Sequence, residues 1–412
     1  MVRLHIEKLV AGGLGLARTP SGTALVRGGL PGETVEAELW QRKNHLEGRV
    51  IRVLEAHPAR YRQALPPSAD LPLEYPHQLP IKQLFVQESL ERIGKLQFEL
   101  APVQPSPSYT AQPGLHYRTA AQYALHPQGG LAYRLPRSNE LVPVPHDPLI
   151  AEPLQPAFEL LSGWPLANLE EVVLRGSIYE QKVQIGFIGG HARHYKKTAQ
   201  ALVQEGIAGV VWGASSPRGR FRGPLQHLAG TPHLLEDFGG VLSSVNVQSF
   251  AQVNPKAAGL LFQEAAQVVE PGRKAVELYA GSGVLSLHLA HRFTEMVAIE
   301  INPSAVKRGE ADRDRLGVEN LVFIQDDARV LGQHLPADLV MVDPPRAGLA
   351  PEVLAGLLEN RPQQILYIAC DPATWARDVG RLVQSGYHLR FARPYDFYPF
   401  THHVEVLSLL SL

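Results

Sequence analysis

From about residue 241 onward, short apolar runs alternate with stretches of helical patterning, and this alternation constrains the fold more than any other feature of the chain. The apolar runs lie near residues 275–279, 296–300, 321–324, 338–342 and 365–369. Neighbouring parallel strands need a crossover between them, and helices fill the intervening lengths, so the pattern predicts a doubly wound parallel α/β sheet. The end breaks the rhythm. Leu389–Arg393 and Val404–Leu410 read as two strands with no helix between them, an antiparallel hairpin closing the sheet at its edge.

The first part of the chain follows a different period. Val35, Ala37 and Leu39 alternate with Glu36 and Glu38, as in a half-buried strand. With Leu4–Val10, Ala24–Val26 and the turn clusters Gly12-Gly13 and Gly28–Gly32, residues 1–57 predict a small β-barrel of the OB type, either a structural cap or an RNA-binding module. Pro58 to Pro80 reads as a loop. Residues 81–96, with Leu84, Phe85, Leu90 and Ile93, predict an amphipathic helix that packs on the doubly wound domain. Three domains are expected: 1–57, a mixed α+β region over 58–240, and the doubly wound domain over 241–412.

Composition excludes several classes. A single cysteine in 412 residues rules out internal disulfides and any cysteine-ligated metal or iron–sulfur centre, and no metal ligands are assigned. The N-terminus lacks a secretory pattern and no run is long enough to cross a bilayer, so the cytoplasm is the expected compartment and no membrane partner is expected. Net charge is −1, which argues against a globally basic surface. Basic residues do concentrate in the middle region, at Arg193, Lys196, Lys197, Arg218, Arg220 and Arg222. Phe221 interleaves the last of these, and Arg220 and Phe221 are candidate RNA contacts.

Three sites carry chemistry. The apolar run ending at Ala369 delivers Cys370 to the carboxyl end of a strand, where ligands gather in α/β sheets. A packing cysteine is the alternative, but this placement favours a nucleophile. Glu277-x-x-x-Gly281-x-Gly283 joins a strand to a helix through a glycine loop that lets backbone approach a ligand. Glu300, at the tip of the next strand, is placed to accept ribose hydroxyls. This layout points to S-adenosylmethionine ahead of a dinucleotide. Asp343-Pro-Pro-Arg346 forms a rigid turn whose fourth residue favours contact with a phosphate or carbonyl oxygen over base stacking.

Phe250-Ala-Gln-Val-Asn254, the Gly281/Gly283 loop, Asp343-Pro-Pro-Arg346, Cys370-Asp-Pro and Thr401-His-His-Val-Glu405, in that order, resemble the S-adenosylmethionine-dependent RNA 5-methyluridine methyltransferases. Residues 1–57 are similar to the TRAM module that many of them carry. The resemblance implies a Rossmann-like methyltransferase domain and S-adenosylmethionine bound by Gln252, Tyr279, Gly281, Gly283, Glu300, Asp327 and Asp343. It also implies Cys370 as nucleophile, Glu405 as the base that removes a proton, and substrate contacts from Arg346 and Asp371. This chain departs from the family at Val284 and Asp371, where asparagine is usual. It also lacks the four cysteines that hold an iron–sulfur cluster in many members, with His146-Asp147 near the place of the fourth. No cluster is expected.

The resemblance further implies RNA as partner, acted on by a monomer. Ribosomal RNA is favoured over transfer RNA because TRAM-bearing bacterial members more often act on the large-subunit ribosomal RNA. RNA 5-methylcytosine enzymes generally use two cysteines, so the lone Cys370 favours uracil. An exocyclic-amine methyltransferase and a non-catalytic RNA-binding factor stand as the alternatives.

Overall fold

The alternation after residue 241 folds as the doubly wound sheet it predicts. Seven strands form it in the computed structural model: β1 (Gly272–Leu278), β2 (Phe293–Glu300), β3 (Leu321–Gln325), β4 (Leu339–Val342), β5 (Gln364–Ala369), β6 (His388–Tyr395) and β7 (Glu405–Ser411). Their order is β3-β2-β1-β4-β5-β7-β6. β1, β2, β3 and β4 pair in parallel, and β6 with β7 antiparallel. Every residue of β4 and β5 is buried, as in a parallel sheet covered on both faces. Strand order reverses between β1 and β4, so ligands are expected outside the carboxyl ends of these strands. The last two strands close the sheet as the expected antiparallel hairpin edge. β7 inserts beside β5 and leaves β6 outermost, which takes the start of β7 into the sheet interior.

The described residues are 1–43, 45–135, 140–164, 166, 168–216, 221 and 224–412. They form two compact units. One comprises Met1–Ser106, Pro345–Leu349 and Tyr367–Ser411; the other comprises Pro107–Pro344, Ala350–Leu366 and Leu412. β5 contributes its first half to the second unit and its last half to the first.

In the first unit, six strands between Val2 and Glu55 curl around Leu4, Ile6, Ala17, Ala24, Val26, Val35 and Ala37. Buried Glu33 ties the end of this module together. It accepts from Leu30 N–H, from His57 N–H and from both arms of Arg60. Burial alone would raise its carboxyl, and these hydrogen bonds outweigh that and hold it below the usual range. The helix expected over 81–96 begins earlier, at Tyr75, and runs to Ser89 before a wider turn over Leu90–Gly94. Proline misled here. Pro76 sits in the first helical turn, where a missing N–H costs nothing, so the helix starts inside the segment read as loop. Gly94 crosses Gly380 so closely that a Cβ on Gly380 would lie 2.7 Å from the Gly94 carbonyl oxygen, which packs this helical segment on helix Pro372–Gln384.

In the second unit a separate seven-stranded sheet, from Ala120–Leu125 through Leu225–Gly230, covers a core that includes Tyr123, Phe158, Leu174, Ile185 and Leu202. Asp147, near the place of the fourth cluster cysteine in relatives, is fully buried. It accepts from the hydroxyls of Tyr123 and Tyr133 and from Leu149 N–H. A hydrogen-bonded carboxylate therefore organises this turn.

Candidate active site

In the second unit, the loop after β1 takes three left-handed residues: Tyr279 at φ 60°, Gly281 at 57° and Gly283 at 70°. Left-handed backbone costs a non-glycine residue about 1–2 kcal/mol, so Tyr279 is held there by its surroundings. Gly283 has a second requirement, since a Cβ would lie 2.5 Å from the Phe323 ring. The helix Val284–Leu289 then begins at the carboxyl end of β1.

Three carboxylates surround this loop. Glu300, at the end of β2, accepts from Gly281 N–H at 2.9 Å and from Asn302 N–H at 2.7 Å, and so tethers the loop to the next strand. Glu277 is buried within β1 and accepts from Ser286 through both its N–H (3.0 Å) and its hydroxyl. Burial pushes Glu277 up to about 8 against the lowering effect of Ser286, and the charges of Asp343 and Glu300 add to the rise. Asp343, one residue past β4, is pushed up to about 7 by burial. No protein cation pairs with Asp343 among the described residues. Acids held this way fit a ligand that carries positive charge and hydroxyl donors, as the sulfonium, ammonium and ribose of S-adenosylmethionine do.

Asp327 occupies the following loop. It caps a short helical turn through Arg329 N–H at 2.9 Å and pairs with the Arg329 side chain, whose hydrogen bonds hold the carboxyl below its ordinary range. Gln252 lies just before the helix Pro255–Val268, on a segment whose Val253 carbonyl accepts Thr119 N–H at 2.8 Å. Asn254, the last residue of that motif, caps the helix. Phe250, its first, is strongly exposed.

In the first unit, Cys370 is half-buried, immediately before Asp371, and Asp371 caps the helix Pro372–Gln384 by accepting from Ala373 N–H (3.0 Å) and Thr374 N–H (2.9 Å). A thiol directly ahead of a helix N-terminus lies where the helix dipole favours the thiolate. Cys370 lines a cavity of about 110 Å³ together with Gly12, Arg346, His402, His403 and Val404. Glu405 is buried at the first position of β7. Leu412 N–H donates to the Gln363 carbonyl at 3.2 Å, and Ser408 Oγ to the Tyr367 carbonyl at 3.3 Å. β7 lies beside β5 in the sheet; Glu405 opens β7, and Cys370 directly follows β5.

Arg346 also lies at this cavity, its Nη2 3.2 Å from each ring nitrogen of His403. Asp371, expected to touch substrate, has its Oδ1 engaged in the helix cap. Of the two central-region candidates, Phe221 lays its ring over Gly186 and Gly213, and Arg220 lies outside the described residues. Sequence reading missed Asp70. It is buried and accepts His402 N–H at 2.9 Å, contacts His402 Nδ1 at 2.7 Å and accepts from Arg27 at 3.0 Å. No local pattern could have found a partner 332 positions away.

Comparison with known proteins places these residues in a family. The profile of the tRNA (Uracil-5-)-methyltransferase family matches residues 241–412. An RNA methyltransferase of Gloeobacter violaceus is 32% identical, over all of this chain and 96% of its own length. One of Aquifex aeolicus is 29% identical over all of this chain and 98% of its own. The crystal structure of the Pyrococcus abyssi tRNA (uracil-54, C5)-methyltransferase in complex with S-adenosyl-L-homocysteine superposes with a TM-score of 0.78. It covers 99% of this chain and 100% of its own at 23% identity, which establishes the shared fold.

Proposed function

This chain belongs to the S-adenosylmethionine-dependent RNA uracil-5 methyltransferases, and from that premise we propose that it forms 5-methyluridine through transient attachment of Cys370 to the base. The placement of Cys370 just past β5 and of Glu405 at the start of the strand beside it carries the reading. It joins a nucleophile, ahead of a helix N-terminus, to a buried carboxylate on the neighbouring strand.

Carbon 5 of uracil is a weak nucleophile. Addition of the Cys370 thiolate to carbon 6 moves the ring π electrons onto oxygen 4 and carbon 5, giving an enolate that can attack an electrophile. When bound, S-adenosylmethionine supplies that electrophile as a sulfonium methyl group. Tyr279, Gly281, Gly283, Glu300 and Asp343, with Gln252 and Asp327, are the residues proposed to hold it. Glu405 then takes the proton from carbon 5. The electrons of that C–H bond rebuild the 5,6 double bond and expel the Cys370 thiolate. Arg346 serves the substrate as a fixed donor.

The proposed substrate is ribosomal RNA, on the strength of the N-terminal barrel. The P. abyssi enzyme, named for transfer RNA, matches this chain over 99% of its length, so transfer RNA is the second reading. Labelled methyl transfer into separate ribosomal and transfer RNA decides between them, with the product nucleoside identified by mass spectrometry. 5-Methyluridine that disappears in Cys370→Ala is the expected result. Methylation that survives this substitution overturns the covalent mechanism and moves the reaction to an exocyclic amine.

A further inference from the structure

Beside Cys370 stands a histidine whose backbone is pinned by a buried lysine. His403 forms a wall of the same cavity as Cys370. Its carbonyl accepts from Lys82 Nζ at 2.9 Å, and Lys82, completely buried, also donates to Asp396 at 2.5 Å and to the Tyr398 carbonyl at 3.0 Å. One lysine thus pins the backbone on both sides of the turn that presents the ring. On one side the imidazole meets His402, with ring centroids 4.0 Å apart. His402 is in turn clamped by Asp70, which Arg27 holds from the N-terminal barrel. Gly13, from the same barrel, leaves room for His402, since a Cβ at Gly13 would lie 2.6 Å from the Cβ of His402.

Arg346 meets the ring with its Nη2 3.2 Å from both nitrogens, so it holds the ring in place without selecting either nitrogen. Charge sets the protonation. Burial first, then His402, Arg346 and Lys82, push His403 down to about 3, with Asp70 opposing, so the ring is uncharged at neutral pH. A neutral imidazole of this kind is a poor base and a good hydrogen-bond donor to a carbonyl that gathers charge.

We propose that His403 is a further catalytic residue, donating its N–H to the uracil carbonyl oxygen on which negative charge develops as Cys370 adds, with Arg346 as the second donor. Asp70, His402 and Arg27 act as positioning residues that set the ring. The assignment rests on the uracil reading above. No proton leaves His403. The C6–Sγ bond forms, the electron pair moves to the oxygen, and both donors stay attached to their protons while the enolate exists. The N-terminal barrel thereby contributes to the chemical step as well as to RNA binding.

The test is the single-turnover rate of covalent protein–RNA adduct formation, measured in a Glu405→Gln background so that the adduct accumulates. RNA affinity is measured in parallel. His403→Phe, which keeps a ring and removes the donor, should slow adduct formation about 100-fold at unchanged RNA affinity, the usual loss for one oxyanion donor. His403→Gln, which restores an N–H, should recover most of that rate. Asp70→Asn should lower kcat and leave KM in place. Equal losses in the Phe and Gln variants, or a Phe variant that reacts at the parent rate, overturn the assignment. Absence of adduct and of 5-methyluridine with the wild-type His403 overturns the uracil reading itself, so the two failures are distinguishable.

Discussion

The cofactor loop and the cysteine cavity are built by opposite means. Around Gly281 and Gly283 the working groups are backbone amides and three carboxylates, all between residues 277 and 343, and they are joined by short-range contacts such as Gly281 to Glu300 and Glu277 to Ser286. Around Cys370 the working groups are donors, Arg346 and the two histidines, and the contacts that set them reach from Gly13, Arg27, Asp70 and Lys82 to residues 396–403. The chemistry explains the contrast. A cationic ligand with ribose hydroxyls calls for acceptors. A polyanionic substrate whose base develops an oxyanion calls for donors.

The sharpest way to break this contrast is to disable one side and leave the other intact. Glu405→Gln removes the proposed base and keeps the shape of the side chain. Turnover should fall roughly 1000-fold, cofactor affinity should be unchanged, and a covalent RNA adduct should persist on denaturing gels. Free turnover by this variant would remove Glu405 from the mechanism. On the other side, Gly283→Ala forces an L-residue to φ 70° and drives its Cβ into the Phe323 ring. A loss of about 2 kcal/mol in stability or cofactor binding is expected, with the Cys370 cavity preserved as judged by thiol alkylation. Thermal unfolding and calorimetric titration read the two effects.

The same contrast decides what the sequence could reveal. β1 through β5, the glycine loop, Glu300 and the position of Cys370 were legible because each depends on local periodicity or on where a strand ends. That the closing hairpin sets β7 beside β5 and leaves β6 outermost was not, because two consecutive strands without a helix between them look alike whichever of them lies inside. The Asp70–His402 clamp was illegible for a different reason. It joins a proline-rich loop to the far end of the chain, and neither segment carries a pattern that names the other. The helix at Tyr75 was obscured by Pro76, which its first turn accommodates, and by Pro80 inside it.

A smaller effect tests the electrostatics of the cofactor side. Asp343, pushed up to about 7, attracts a cationic ligand only when ionised. Cofactor affinity should therefore weaken as pH falls through about 7 and strengthen above it. Asp343→Asn should lower affinity about tenfold at pH 8 and flatten this dependence, since one pKa unit corresponds to about 1.4 kcal/mol. Binding titrations across this range read both. An unchanged pH dependence in the variant would assign the titration to Glu277.

The smallest effect concerns Asp371, the residue after the proposed nucleophile, where the family resemblance implies asparagine. Its Oδ1 accepts two amides at the start of the helix Pro372–Gln384, and an asparagine carbonyl can accept the same pair. Helix N-caps rank aspartate and asparagine as near equals and alanine well below them. Asp371→Asn should therefore leave stability within a few tenths of a kcal/mol, while Asp371→Ala should lose about 1 kcal/mol, both measured by denaturant unfolding. Methylation should follow the same order, because the cap sets the entry of the helix that follows Cys370. An alanine variant as stable as its parent would show that the cap is dispensable, and the asparagine implied by the resemblance would then need a reason in the substrate.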